Sequence, residues 1–470
     1  MPERLLALDI GTTTARAVVF EPSGIVVGIA RASLRSTSLQ PGRVEQDVGR
    51  VWRATRRVIA QALSSAGCAP ADIAAVGVTS QRTSIVLWDR VTGQPLGPMV
   101  VWSDLRGAAR SLELMQSGYF LAPQQAATKL EAVLAGVSLP GDRIAWGNID
   151  SYVIWKLSGG AVHATDRSQA WPTGYLDLAT MQWNQALIDH QQLGQLQFPS
   201  LVDTWGPMGT TSAAVFGASV PIAADVADQQ SALIAHGETV KVTYGTSATL
   251  DLATGPELVF RSPTAPPFVL SSVAGQTRFC VEGMVLSAGS ALDWLRSACG
   301  LGGHSRFEAL AASVDHSAGA AFLPALQGLG APYGDPARRA SLAGLSTSVS
   351  SAHIARAGME GVAFRVREAF DHVHDLTGVA APDVLGVDGG LTANETFLQV
   401  QADLLGRPRR RHAVREATAA GAALSAGRGI GLLSEADTKA FVRYDLTVDP
   451  RVSADEADER LTTWKGRVSG

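Results

Sequence analysis

From residue 5 the chain reads LLALDIGTTTARAVVFEPSGIVVGIARASL. Apolar, β-branched runs near residues 5–9, 15–20 and 25–31 are broken by IGTTT and EPSG. Short turns between strand-like runs predict an antiparallel meander. The next stretch, VEQDVGRVWRATRRVIAQALSSAG, changes period. Val48, Val51, Trp52, Val58, Ile59, Ala62 and Leu63 fall on one helical face, Asp47 can cap the start and Gly67 can end the helix. AAVGVTS then returns to strand character. Meander, helix and strand make one α/β unit.

The pattern recurs. VTYGTSATLDLATG, at residues 242–255, repeats strand, Gly-Thr turn, strand and Gly turn, and Gly245-Thr246-Ser247 lies 234 residues after Gly11-Thr12-Thr13. Further strand-like residues follow (FCVEGMVLS), then a long amphipathic stretch, SAHIARAGMEGVAFRVREAFDHVHDL, and a strand ending in a glycine pair, VLGVDGG. Matching strands on both sides of each turn argue for duplication. Two related α/β domains are predicted, residues 1–237 and 238–470, with a last helix in SADEADERLTTWKGR, where Ser453 and Glu456 have capping-box spacing.

Composition narrows the classes. Of 470 residues, 46% are hydrophobic and 17% charged, below the ~25% charge of an ordinary soluble domain. A disordered tail and a fibrous chain are therefore excluded. The net charge of −4 gives no field that would draw nucleic acid or anionic lipid. Three cysteines, Cys68, Cys280 and Cys299, show no CxxC spacing, so buried free thiols are expected rather than disulfides or zinc. No apolar run reaches the ~20 residues of a membrane helix, and MPERLLALDIG meets Asp9 too early for a signal peptide. The expected location is the cytoplasm.

The chemistry begins with phosphate. No Gly-Lys pair occurs, so a P-loop is absent, and GLGGH and GRGIG fail the dinucleotide spacing. What remains is the pair of Gly-Thr hairpins. A glycine admits an anion close to the backbone, successive N–H groups can form a nest, and threonine hydroxyls add donors. Asp9, just before the first loop, could hold Mg²⁺ directly or through water.

ALDIGTTTARAVVF, VTSQRTSIVLWDRVTGQPLGPMVVWSDLR, VADQQSALIAHGE, VTYGTSATL, GLGAPYGDPARRASLAGL and VDGGLTANETFLQVQADLLGRP occur in that order. Together they resemble the FGGY family of carbohydrate kinases, from about residue 5 to 433. The resemblance implies an α/β fold of two actin-like (ribonuclease-H-like) domains with a deep interdomain cleft. ATP would lie mainly against the C-terminal domain, and a polyol or sugar under the N-terminal one. By motif match, Thr12, Thr13, Thr14 and Arg16 fall in the phosphate-facing loop, with Asp9 near magnesium. Gly245, Thr246, Gly289, Gly390 and Asn394 fall where the family contacts nucleotide. Asp293 stands where relatives often carry glutamine. Asp228, in VADQQ, matches the catalytic base, which must accept a proton as the phosphoryl group arrives.

On the substrate side, Arg82, Trp102 and Gln229 match family residues. Two positions depart. Members that act on glycerol carry glutamate where this chain has Thr83, and tyrosine where QQAATK places Gln124. Both changes remove groups that would bind glycerol hydroxyls and leave room for a larger polyol or ketose. Trp171 replaces a small residue, and the basic glycine-rich loop that binds a regulatory sugar bisphosphate in some members is not recognisable before Asp228. The expectation is ATP- and Mg²⁺-dependent phosphorylation of a small polyol or monosaccharide, with glycerol the leading single substrate. Xylulose-, ribulose- and tetritol-type kinases are the alternatives within the family. An actin-like ATPase that phosphorylates no metabolite, or a silent sugar-binding regulator, is the alternative outside it. A small-molecule substrate is the expected partner, without nucleic acid or membrane, and a homodimer is the one assembly considered.

Two further clusters are read as structural. RPRRRHAVR (residues 407–415) is expected to be a solvated strand edge, and His372, His374 and Asp375 to be exposed helix-end residues rather than a metal site.

Overall fold

The computed structural model describes residues 3–38, 40–380 and 382–469. The chain forms two compact units. One comprises Met1–Ala235, Phe268–Arg278 and Thr418–Phe441; the other comprises His236–Pro267, Phe279–Ala417 and Val442–Gly470.

In the first unit the opening meander is β1 (Arg4–Ile10), β2 (Thr14–Phe20) and β3 (Val26–Ser33), followed by helix α1 (Val48–Ser65) and strand β4 (Ile73–Ser80). Asp47 caps α1 by accepting from the Arg50 N–H at 2.6 Å. Val51, Val58 and Ala62 turn inward and α1 packs on β2 and β3. The stretch between β4 and β5 (Trp205–Thr210) includes helix α2 (Ile149–Leu157) and has its own apolar cluster around Trp146, Tyr175 and Phe198, packed edge to face. Strand β6 (Pro221–Ala227) runs without a loop into helix α3 (Asp228–Ala235). The sheet order is β5-β6-β4-β1-β2-β3, with β1–β4 and β4–β6 parallel. Leu6, Leu8, Val19, Val76 and Val78 fill the core beneath α1 and α2.

The second unit repeats the plan. Strands β7 (Val240–Tyr244), β8 (Ala248–Gly255), β9 (Pro267–Val273) and β10 (Gln276–Val285) precede helices α4 (Gly289–Ala298) and α5 (Ser351–Thr377); Phe268–Arg278, most of β9 and the start of β10, group with the first unit although they belong to this sheet. Strand β11 (Leu385–Asp388), helix α6 (Glu395–Leu405), and strands β12 (Arg409–His412) and β13 (Tyr444–Val448) follow. The sheet order is β9-β10-β8-β7-β11-β12-β13. The antiparallel run β7-β8-β10 corresponds to β1-β2-β3, and the parallel pair β7–β11 corresponds to β1–β4. The duplicated hairpin is therefore part of a duplicated sheet. Helix α5 buries Ala355, Met359, Val362, Val366 and Val373 along one stripe, against Val242, Leu250 and Val387.

Register places charges as well as apolar groups. Asp9 and Arg16 face each other across β1–β2 and pair at 2.8 Å. At the related hairpin Lys241 and Asp251 face each other across β7–β8 and pair at 2.7 Å, fully buried. Burial disfavours the Lys241 charge, but Asp251, Asp388 and Glu282 outweigh it and hold the ammonium above its ordinary range.

Three expectations are corrected. The basic run is not a sheet edge: β12 pairs with β11 on one side and β13 on the other, burying Arg409 and pairing Arg411 with Asp445 at 2.8 Å. The cysteines are all free, yet only Cys280 is buried, and Cys299 is exposed. His372 and His374 are half-buried, not exposed: His372 Nε2 lies 3.1 Å from the Thr264 hydroxyl, and the aromatic ring of Phe370 stacks on His374. Among the described residues no helix is long and apolar enough to cross a membrane.

Candidate active site

In the first unit the Gly11–Thr12 turn closes with a hydrogen bond from the Gly11 N–H to the Thr14 carbonyl at 3.1 Å. Thr13 is exposed at its tip, and Thr12 is tied down on three sides. Its hydroxyl donates to Gln81 Oε1 at 3.0 Å and accepts from the Trp102 indole N–H at 3.1 Å. Gln46 Nε2 donates to the Thr12 carbonyl at 2.5 Å and accepts, at its oxygen, from Gln81 at 3.4 Å. Gln46 and Gln81 are each 1% exposed, whereas Trp102 is 40% exposed. Two buried amides thus join the candidate phosphate loop to the candidate substrate wall.

The loop that carries Trp102 is fixed from below. Buried Lys129 donates to the carbonyls of Val101 and Asp104 at 3.2 and 3.4 Å, and burial pushes its amine down to about 8. The Asp104 carboxylate accepts from Arg106 at 2.9 Å and from the Val44 N–H at 2.7 Å. Burial would raise its pKa, but the Arg106 bonds prevail and hold it below the usual range.

Asp228 begins α3, at the C-terminal end of β6. Its Oδ1 accepts from the Gln229 N–H at 2.8 Å and stands 3.6 Å from Arg82 Nε. The Arg82 guanidinium lies 4.5 Å above the Phe268 ring, a cation–π contact that fixes its plane. Thr83 follows with φ of +53°, 7% exposed, an uncommon conformation for a β-branched residue. Gln124 is exposed and shares no hydrogen bond with Arg82, Trp102 or Asp228 among the described residues. Trp171 is half-buried in a short turn of helix, Trp171–Thr173.

Behind Asp228 lies a buried acidic buttress. The Ala227 N–H donates to Ser168 Oγ at 2.9 Å, and Ser168 Oγ donates to Asp166 Oδ1 at 2.7 Å. The Asp166 N–H donates to Asp225 Oδ2 at 2.9 Å. Burial drives Asp166 up to about 6; burial, then the charges of Asp150 and Asp166, drive Asp225 well above the ordinary carboxylate range. Asp225 is therefore the natural holder of a proton, shared with Asp150.

Whether Mg²⁺ fits can be judged at Asp9. The carboxylate is 4% exposed, gives Oδ2 to Arg16, and turns Oδ1 toward Gly11, where a Cβ would sit 3.9 Å away. No group of three or more His, Cys, Asp or Glu side chains forms a metal cage among the described residues. One carboxylate beside a phosphate loop suits Mg²⁺, which keeps waters and takes substrate phosphate oxygens as ligands.

In the second unit the Gly245–Thr246 turn is exposed and anchors α4. The N–H groups of Ala288 and Ser290 donate to the Thr246 carbonyl at 3.0 and 3.1 Å, and that of Gly289 to the Gly245 carbonyl at 3.0 Å. A Cβ at Gly289 would lie 2.6 Å from the Gly245 oxygen. At Gly389, φ of +93° and a Tyr244 carbonyl 2.4 Å from any Cβ both demand glycine. Gly289, Asp293, Gly390 and Asn394 then line one cavity of about 220 Å³, with Leu292, Phe307 and Phe397 as apolar walls. A Cβ at Gly390 would meet nothing within 4 Å, so this edge is open. Asn394 Oδ1 caps α6 by accepting from the Phe397 N–H at 2.7 Å. Asp293 accepts from His304 at 3.0 Å and Arg296 at 3.2 Å, so its carboxylate is already occupied. An apolar slot edged by glycines and a fixed amide suits a flat heterocycle.

Sequence reasoning missed Gln46, Gln81, Lys129 and Phe268. Gln46 carries no motif of its own, Gln81 stands in the VTSQRTS motif without a role assigned to it, and Phe268 meets Arg82 only through the fold.

Residues 4–235 match the N-terminal domain, and residues 240–430 the C-terminal domain, of the FGGY family of carbohydrate kinases. The chain belongs to that family and is an ATP-dependent carbohydrate kinase. Among curated proteins it is 38% identical to a glycerol kinase of Alkalilimnicola ehrlichii over 99% of this chain and 98% of the relative. It is 36% identical to one of Thermus brockianus over 99% and 97%. Among solved structures, Plasmodium falciparum glycerol kinase with ADP superposes with a TM-score of 0.89 at 23% identity, covering 98% of this chain and 97% of that one. Xylulose kinase from Rhodospirillum rubrum gives 0.82 at 25% identity, covering 98% of each. The fold is that of the two-domain, actin-like kinases, and an actin-like ATPase that phosphorylates no metabolite, or a silent sugar-binding regulator, is set aside.

Proposed function

We propose that the protein transfers the γ-phosphoryl group of ATP to a hydroxyl of glycerol. In this reading residues 1–237 bind the acceptor and supply the base, and residues 238–470 bind the nucleotide. Arg82, Trp102 and Gln229 orient the polyol, with Thr83 beside them. Asp228 takes the hydroxyl proton as the new O–P bond forms and the bond to ADP breaks; such help is worth roughly 10²–10⁴ in rate. Thr12, Thr13, Thr14, Arg16, Gly245 and Thr246 would meet phosphate oxygens, and Gly289, Asp293, Gly390 and Asn394 the nucleoside. Mg²⁺, held through Asp9, would offset phosphate charge. A cytoplasmic location follows from the need for ATP.

The observation that carries this reading is Asp228 at a strand-to-helix junction with Arg82 at 3.6 Å, in a chain whose full-length curated relatives are glycerol kinases. A second reading, a four- or five-carbon polyol or ketose, is favoured by Thr83 and by the exposed position of Gln124. A coupled assay of ADP release decides between them. Glycerol is expected to give the highest kcat/KM among glycerol, erythritol, ribitol, xylulose and ribulose. A higher value on any larger acceptor would replace glycerol and leave the kinase assignment standing.

A further inference from the structure

Helix α1 carries Arg50, Arg53, Arg56 and Arg57, all exposed, and no acidic residue between Val48 and Ser65. Lys156, in the last turn of α2, holds its Nζ 5.7 Å from the Trp52 ring centre, 5.8 Å from that of Trp155 and 6.0 Å from that of Tyr152. None of these five cations forms an ion pair among the described residues. Burial lowers the Lys156 pKa, and the Arg56 charge lowers it further. Two like charges are thus held near each other without a counter-ion, in a protein whose net charge is −4.

Next to Arg56 is a cavity of about 390 Å³, within the range of small-molecule sites, while Lys156 stands outside its wall, against the wall residue Trp52. Arg56 is part of its wall. The rest is mainly apolar: Trp52, Ile59, Leu63, Leu157 and Phe216. The last four are recessed, at 7%, 5%, 1% and 7% exposure. Recessed walls do not suit a bilayer, which is entered by protruding side chains, nor a flat protein face. A slender chain could enter, with its charged end left at the cations.

We propose that this cavity binds an amphipathic anion: an unbranched acyl chain in the cavity, its carboxylate on Arg56 at the wall, with the Lys156 charge behind Trp52 adding to the attraction. The site is made only of first-unit residues and shares none with the kinase machinery. An aliphatic body in the cavity removes apolar surface from water, and the carboxylate supplies the missing counter-charge.

The test is calorimetric titration of the full-length protein with monomeric decanoate. Saturable one-to-one binding is expected, with decanol and acetate each much weaker because each lacks one half of the ligand. Arg56→Gln should weaken decanoate by roughly tenfold or more and Lys156→Gln by less, while Arg50→Gln, away from both the cavity and Trp52, should leave it unchanged. Ala60 is exposed at the cavity rim, so Ala60→Trp should keep the fold, verified by its melting curve, and block binding with both charges present. The proposal is overturned by absent or non-saturable binding, by decanol binding as well as decanoate, or by full affinity in Ala60→Trp. Attachment to phosphatidylglycerol vesicles without decanoate binding would overturn it in favour of a membrane surface.

Discussion

Thr83 is the residue at which chemistry and conformation disagree most. A β-branched side chain at φ of +53° is held against its own preference, at a cost of about 1–3 kcal/mol that the surrounding fold must offset. An unbranched residue tolerates that backbone better, so Thr83→Glu should fold. A carboxylate accepting from a polyol hydroxyl contributes about 1.5–3 kcal/mol. Thr83→Glu is therefore expected to lower the KM for glycerol by roughly tenfold or more, with kcat changed little. A raised KM in steady-state assays would mean that this side chain does not face the acceptor. Phe268 belongs to the same scale, since its ring orients Arg82. No local pattern could announce that contact, because the two residues are 186 positions apart in the chain.

At the scale of elements, β6 and α3 present Asp228 because the Asp166–Ser168–Ala227 chain of hydrogen bonds holds their junction. The buttress has a pH signature. Asp166 and Asp225 have folded pKa values raised above their unfolded ones. Their contribution to stability is therefore full below about pH 4 and is lost as pH rises from there through the folded values, about 6 for Asp166. Asp225→Asn keeps a donor toward Asp150 and an acceptor toward the Asp166 N–H, and cannot ionise. Denaturation should find it equal to wild type near pH 4 and more stable than wild type at pH 8. Equal stability at both pH values would show that Asp225 is not the protonated member. Elements themselves were largely legible. The period change at Val48, the Asp47 cap and both Gly-Thr hairpins are local signals, and the structure has them where the pattern puts them. The flanks of β12 were not legible. Its burial depends on β13, whose pairing partner lies some 35 residues away and leaves no mark in RPRRRHAVR.

At the scale of the whole molecule, the duplication read from two short turns corresponds to two sheets that share a six-strand order, the second with β9 added at its edge. What local pattern could not convey is that Phe268–Arg278 and Thr418–Phe441 belong to the first unit, because long-range packing decides membership. The proposed division of labour gives a separable prediction. Gly390→Val places its side chain in open space at the cavity edge, so stability should stay within about 0.5 kcal/mol. KM for ATP should rise at least tenfold, while acceptor affinity measured without nucleotide stays constant. An equal loss of both would count against separate nucleotide and acceptor sites.

The central claim is that Asp228 accepts the acceptor's proton during phosphoryl transfer. Asp228→Asn keeps the shape and removes the basic oxygen. Single-turnover transfer of radiolabelled γ-phosphate to glycerol is expected to slow by roughly 10²–10⁴, with equilibrium binding of glycerol and ATP within a few-fold of wild type. A single-turnover rate near wild type, with both ligands bound, would contradict the account.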